Sequence, residues 1–339
     1  MKFIPWLAAA AVLLPVAAGP ASSQDAATYF KGKEMKLTVG FTPGGGYDAY
    51  TRLLARHYGR FIPGNPSAIV VNMPGASSLK SVQYLNAGAP KDGTAMTAFN
   101  PGLIVQSLTI PEKIKVKFTD FAWIGSISED LRVCYAWHET GIKTWDDMLK
   151  AKQVIMGDTG AGSSSYVNQK MLQELFDVKL KQILGYPGSA EKRLAIERRE
   201  LDGDCGSWTS IPEDWTRDKK VNIVLRFSPH VALGLPESTT FAGDLLKDPL
   251  KKQTFQLLAA SADIGRPVIA PKEVPADRLR VLREAFNAAV KDPQFLADAA
   301  KQKLLVTPMT GEEVEKALLE IYKAPANVIA MAKEISGDN

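Results

Sequence analysis

The stretch Lys36–Ile62, KLTVGFTPGGGYDAYTRLLARHYGRFI, sets three glycines between an apolar run and an amphipathic one. KLTVGF has the length and β-branched content of a strand, and the residues from Asp48 onward carry helical spacing. The segment TPGGGYD therefore delivers a strand into a helix, so the helix's free N–H groups and positive dipole end face the carboxyl edge of a sheet. Anions bind at such places, and glycines let the peptide plane meet a ligand with no Cβ in the way. Taken alone, such a loop is equally well a tight turn.

Four more loops share this grammar. PGASS follows AIVVNM, NPG follows TAMTAF, TGAGSSS follows QVIMGD and leads into YVNQKMLQELF, and GYPGSAEK follows QILGY. Five such loops at strand carboxyl ends, distributed over two halves of the chain, point to a cleft between two lobes. Further strands are expected at FAWIGSI, RVCYAWH, DGDCGSW, NIVLRF and RPVIAP. Helices are expected over 48–61, 77–86, 144–150, 165–176, 189–199, 275–291 and 312–324, the last opened by the capping box Thr310-Gly-Glu-Glu313. This alternation predicts an α/β protein with largely parallel sheets. One strand-and-helix series ends near Ile127 and a second begins near Lys152; the final helices are expected to return to the first lobe.

The chain of 339 residues is long for one core and comfortable for two. Its first residues carry one lysine, an apolar stretch from Phe3 to Ala18, then small residues, the order of a secretory signal peptide, with cleavage expected after Ser23. Pro5 and Pro15 interrupt a segment near the lower limit for spanning a bilayer, and no later apolar run is long enough to span one. The mature chain then has 40 basic and 37 acidic residues, a net charge of +3 that gives no basis for nucleic-acid binding. The mixed run EKRLAIERRE reads as a solvated helix face. Cys134 and Cys205 fall in strand candidates; spacing leaves open whether they pair in an oxidising compartment or stay as buried thiols.

Other chemistries lack their residues. TPGGG has no GK[ST] ending, and GAGSSS has serine where a dinucleotide fingerprint needs its third glycine. Neither a G-x-S-x-G elbow nor an H-E-x-x-H helix is present, and two cysteines with three scattered histidines offer no metal spacing. No catalytic residue, metal or cofactor is expected. A hydrolase or isomerase reading would need His57 or His138 beside one of Ser163–Ser165. His57 reads more simply as a partly buried structural histidine. Asp48 reads first as the cap of its own helix and second as a ligand acceptor. Tyr47, Tyr166, Tyr186 and Trp208 could wall an organic ligand or simply pack.

At these residues the sequence resembles the extracytoplasmic solute receptors of tripartite tricarboxylate transporters, the Bug or TctC type. VGFTPGGGYDAYTRLLA is similar to the family's strand, P-G-G-[ST]-x-D loop and first helix, and VVNMPGASSLKSVQYL to its N-R-P-G-A-G-G segment. GDTGAGSSSYV resembles its G-x-G-S loop, LGYPGSAEKRLAIERRELDGDCGSW its Y-x-G loop with following helix and strand, and VIAPKEVPADRLRVLREAFNAAVKDPQF its A-P-x-x-[TV]-P segment. The order of these segments covers nearly all of the mature chain.

The resemblance implies a type II periplasmic-binding-protein fold, α/β, in which two lobes joined by crossing strands close on a small organic carboxylate. Residues 24–132 and 258–339 would form lobe 1, residues 133–257 lobe 2, and residues 1–23 the signal peptide. It implies a periplasmic monomer that passes its ligand to membrane permease subunits. The carboxylate would be held by loop N–H groups, small hydroxyls and water rather than by an arginine. Carried over by position, the first-lobe contacts are Thr42, Pro43, Gly44, Gly45, Gly46, Tyr47 and Asp48, with Ser77 and Asn100. The second-lobe contacts are Thr159, Gly160, Ala161, Gly162, Ser163, Ser164 and Ser165, then Tyr186, Pro187, Gly188 and Ser189, with Asp204 at the rim. The chain departs from the family at Gly46, where relatives often have serine or threonine, at Met73 in place of arginine, and at Ser77 and Ser78 in place of paired glycines. A sensor that reuses the same lobes to report solute to another exported domain is a further reading.

Overall fold

The computed structural model describes residues 26–231 and 234–336. The signal-peptide reading falls on residues 1–23, outside the described residues.

All ten expected strands form. They are β1 (Glu34–Val39), β2 (Ser67–Asn72), β3 (Ala95–Ala98), β4 (Phe121–Ser126), β5 (Val133–Trp137), β6 (Val154–Asp158), β7 (Leu180–Leu184), β8 (Gly203–Asp204), β9 (Val221–Arg226) and β10 (Pro267–Pro271), with a short β11 (Met309–Thr310) added. They build two sheets, ordered β11-β4-β10-β3-β1-β2 and β7-β6-β8-β5-β9. Each sheet is mixed rather than largely parallel. β1 pairs parallel with β2 and β3, and β6 with β7 and β8, whereas β10, β11 and β5 pair antiparallel with their neighbours. The antiparallel strands lie beside the two places where the chain crosses between sheets, after β4 and before β10. A strand arriving from the other sheet enters against the direction of the βα units, which periodicity cannot register.

The helix Gly46–Tyr58 lays Tyr50, Leu53, Leu54 and Tyr58 onto the first sheet, joined by Leu282, Ala285 and Phe286 of the helix Ala276–Ala289. Thr310 and Glu313 form the expected capping box on the helix Gly311–Ile321. The helices Gly102–Thr109, Pro249–Ala259, Pro293–Lys301 and Ala326–Ser336 are additional to those expected. The last of them does not simply return to the first sheet. It packs on the helix Gly102–Thr109 of one side and on the helices Ser164–Phe176 and Pro249–Ala259 of the other. One apolar cluster, including Leu103, Met171, Leu172, Leu258, Val328, Ala332 and Ile335, is therefore continuous across both sheets.

Cys134 on β5 and Cys205 beside β8 form a disulfide. Antiparallel pairing of Tyr135 with Asp204 and Ala136 with Gly203 brings the next rung, the two cysteines, face to face. Both are fully buried.

Candidate functional site

The loop grammar read from the sequence converges at one place. Gly45, Ser163 and Gly188 are the N-cap residues of the helices Gly46–Tyr58, Ser164–Phe176 and Ser189–Glu197, the first from one sheet and the other two from the opposing one. Ser163 Oγ caps its own helix by accepting from the Tyr166 N–H at 3.0 Å. Gly45 and Gly188 bring no side-chain cap, so their helix N–H groups stay available.

The lobes meet directly across this cleft. Thr42 Oγ1 donates to Glu191 at 3.3 Å, and Arg193 Nη2 donates to the Gly44 carbonyl at 3.2 Å. Asn100 Nδ2 donates to the Gly162 carbonyl at 3.1 Å, and Ser164 Oγ donates to Asn100 Oδ1 at 2.5 Å. Ser77 Oγ lies 3.4 Å from Thr159 Oγ1 and 3.3 Å from the Gly160 carbonyl. Lys303 and Glu213 form a further ion pair. A Cβ built on Gly188 would come within 2.5 Å of Thr42 Oγ1, so a larger residue there would displace the Thr42 hydroxyl. Ala76, Ser77 and Ser78 all have positive φ, at 45°, 52° and 80°. The resemblance puts glycine at the last two positions; serine there carries backbone strain of about 1 kcal/mol or more per residue. Both hydroxyls are used: Ser77 across the cleft, Ser78 accepting from the Asn100 N–H at 2.9 Å.

Between the lobes lies a cavity of about 40 Å³, room for a few water molecules. Of the expected residues, Gly45, Gly46, Tyr47, Asn100, Thr159, Ser163, Ser164, Ser165 and Ser189 line it. Thr42, Gly44, Ser77, Gly160, Gly162 and Gly188 lie instead in the lobe-to-lobe seam just described. Pro43 and Pro187 are exposed, Ala161 is half-buried, and Tyr186 packs its ring against Gly157 and the outer face of the second sheet. Of the other aromatics that could have walled a ligand, Tyr166 belongs to the core and Trp208 packs beside the second sheet.

Asp48 does not reach the cavity. It accepts from the Gly44 N–H at 3.0 Å and from Arg52 and Asn72, thereby folding the glycine loop back onto its helix. Burial works to raise its pKa, but these hydrogen bonds hold it below the ordinary value. Asp204 is not at the rim. It is buried beneath the cavity, with Oδ2 at 2.6 Å from Lys192 Nζ. Asp158 is fully buried nearby; burial pushes it up to about 7, Lys192 pulling against this and Asp204 adding to it.

The main feature missed from sequence is cationic. Arg132, Lys192 and Arg266 line the cavity together with Phe41, Gly206, Ser207 and Ser210, and no carboxylate does. This departs from the expectation of a site without arginine. Arg132 and Arg266 come from the two crossing segments, where neither periodicity nor a glycine loop marks them. Lys192 is one turn inside a helix whose charge run read as a solvated face.

Neither histidine considered as a base approaches the serines. His57 Nε2 is 2.9 Å from Asp298 on the outer side of the first sheet, with Nδ1 2.9 Å from Arg60. His138 lies 3.9 Å from Glu139. Ser165 Oγ has Ser163 Oγ at 3.1 Å and Lys192 Nζ at 3.3 Å, and that nitrogen lies in an ion pair with Asp204. No group of three potential metal ligands occurs among the described residues, and none of their helices is long and apolar enough to cross a membrane.

No protein-family model and no curated protein sequence matches the chain. Solved structures do. The periplasmic binding protein BugD superposes with a TM-score of 0.72 at 18% identity over 89% of this chain and 97% of its own. MatC from Rhodopseudomonas palustris with bound malate gives 0.70 at 16% identity over 90% and 99%. An R. palustris protein with adipate gives 0.69 at 14% identity over 89% and 96%. Identities this low speak to architecture: the chain has the two-lobed α/β fold of the periplasmic binding proteins.

Proposed function

We propose that the protein is an extracytoplasmic solute receptor of the tripartite tricarboxylate type, which captures a small organic carboxylate by closing two lobes over it. The observation that carries this reading is a cavity between the lobes lined by helix N-termini, serine hydroxyls and three cations, with no acid on its wall. Malate and adipate in two structures of the same fold agree with a carboxylate.

The energetics suit it. A helix N-terminus contributes up to about 2 kcal/mol in a partly buried site, and a hydrogen bond to a charged oxygen about 1.5–3 kcal/mol. Micromolar binding needs about 8 kcal/mol, which several such contacts supply once water is excluded. Closure also makes the signal, because only a ligand that touches both lobes favours the closed form. In this reading the protein works as a periplasmic monomer, performs no chemistry on its solute, and presents its closed face to the permease subunits.

Thermal melting against malate, adipate, succinate, citrate and benzoate tests it. At least one acid is expected to raise Tm by several degrees at millimolar concentration; no shift from any of them would count against a carboxylate receptor.

A further inference from the structure

Two ion clusters border the cavity, and they are balanced differently. Lys192 is shared by two acids, Asp204 at 2.6 Å and the more distant Asp158, and also donates to Ser165. Arg132 and Arg266 share a single acid, Asp130, which is 1% exposed. Arg266 Nη2 donates to Asp130 Oδ1 at 2.8 Å and to Ser207 Oγ at 2.7 Å. Both arginines are more than nine-tenths buried, and the Nε of each is buried with no hydrogen-bond partner. A buried cation pair with one counter-ion is short of one negative charge, and a buried donor left without a partner is destabilising.

The guanidinium of Arg266 is held in place for a ligand. Its carbon lies 4.5 Å over the Tyr47 ring and 5.2 Å from that of Tyr50. A Cβ on Gly46 would come within 3.1 Å of its Nη2, so the guanidinium sits against the first turn of the helix Gly46–Tyr58. Glycine at 46, where the resemblance expects a hydroxyl residue, leaves room for this arginine.

We propose that Arg132 and Arg266 together form a direct guanidinium seat for a carboxylate of the solute, supplying the charge that Asp130 alone leaves unmatched. This rests on the carboxylate-receptor reading and replaces amide-and-water recognition at that end of the ligand with a charge-assisted fork. A guanidinium fork matches a carboxylate in shape as well as charge. The preferred solute is therefore one whose acid group cannot be exchanged for an amide, since the amide brings N–H donors to a wall of donors.

Isothermal titration calorimetry with the five acids named above, and with the amide of whichever acid binds tightest, separates the possibilities. The unaltered protein is expected to prefer acid over amide by about 100-fold or more. Arg266→Gln and Arg132→Gln are expected to weaken acid binding by about 100-fold and to collapse that preference. Arg266→Lys and Arg132→Lys, which keep the charge and lose the fork, should lose about 10-fold; they carry the test if circular dichroism shows the glutamine variants unfolded. Folded variants that keep both affinity and preference would reduce the arginines to a clamp between the crossing segments, leaving the receptor reading intact. Failure of the unaltered protein to bind any acid would overturn the receptor reading and this inference with it.

Discussion

At Gly45 an added Cβ meets nothing nearer than the Ser189 amide nitrogen, at an ordinary contact distance of 4.0 Å across the cleft, so only a longer side chain reaches into that space. Its φ of −88° and ψ of 170° suit any residue, so Gly45→Leu should fold normally. The leucine would project at the Ser189 helix terminus and hold the lobes apart, and thermal melting should show an unchanged Tm with the ligand-induced shift gone. A retained shift would contradict the close approach. Asp158 supports a second prediction at this scale. Its folded pKa, about 7, lies above its ordinary 3.8, so the native state holds a proton that the unfolded chain has released. Its contribution to stability is therefore present below about pH 4, declines as pH rises to about 7 and is flat beyond, by about 1.4 kcal/mol per unit at most. Asp158→Asn should remove this decline, measured as denaturation midpoints across pH 5–8; an unchanged slope would place the titration elsewhere. Of these residues the glycines were legible in the sequence, because three in a row between a strand and a helix start leave the backbone bare where a ligand or a facing loop can approach. Asp158 was not, since its pKa depends on Lys192 and Asp204, 34 and 46 residues away in sequence.

The elements that read most cleanly are those whose two ends are chemically marked. Helices 46–58 and 164–176 begin at glycine–serine loops, and helix 311–321 at a capping box, so each starts within two residues of its expected position. Helix 249–259 has an equally plain start, Asp248 capping Lys251 before Pro249 at the first turn, but its weakly periodic interior gives that start nothing to open. Helix 326–336 is different: its mixed AMAK pattern gives no face until the helices Gly102–Thr109, Ser164–Phe176 and Pro249–Ala259 that it packs on supply one. β8 shrinks from an expected seven residues to Gly203–Asp204 because pairing with β5 and β6, not β-propensity, sets its length. The disulfide lies at that junction and closes a loop of 71 residues. Replacing both cysteines with alanine should cost about 2–4 kcal/mol and lower Tm by several degrees. Because both sulfurs are buried, reductant should act on the native protein only as fast as it opens; rapid reduction at room temperature without loss of structure would contradict that burial.

Across the whole molecule, closure is the property that no single lobe possesses. The seam made by Thr42–Glu191, Arg193–Gly44 and Asn100–Gly162 joins the lobes around a cavity of about 40 Å³. Because a ligand that touches both lobes would favour the closed form, small-angle scattering should show a larger radius of gyration without ligand than with it; equal radii in both states would exclude capture by closure. The apolar cluster beneath the helix Ala326–Ser336 takes its side chains from both halves and so ties them together. The sequence alone determined two α/β halves and the glycine and serine loops that face each other, because strand and helix periodicity and backbone permissiveness are local properties written within a few residues. Only the tertiary structure decided the antiparallel crossing strands, the pairing of Cys134 with Cys205 and the cationic wall of Arg132, Lys192 and Arg266. Those depend on which distant segments share one buried space, and burial is what turns ordinary surface residue types into a charged site.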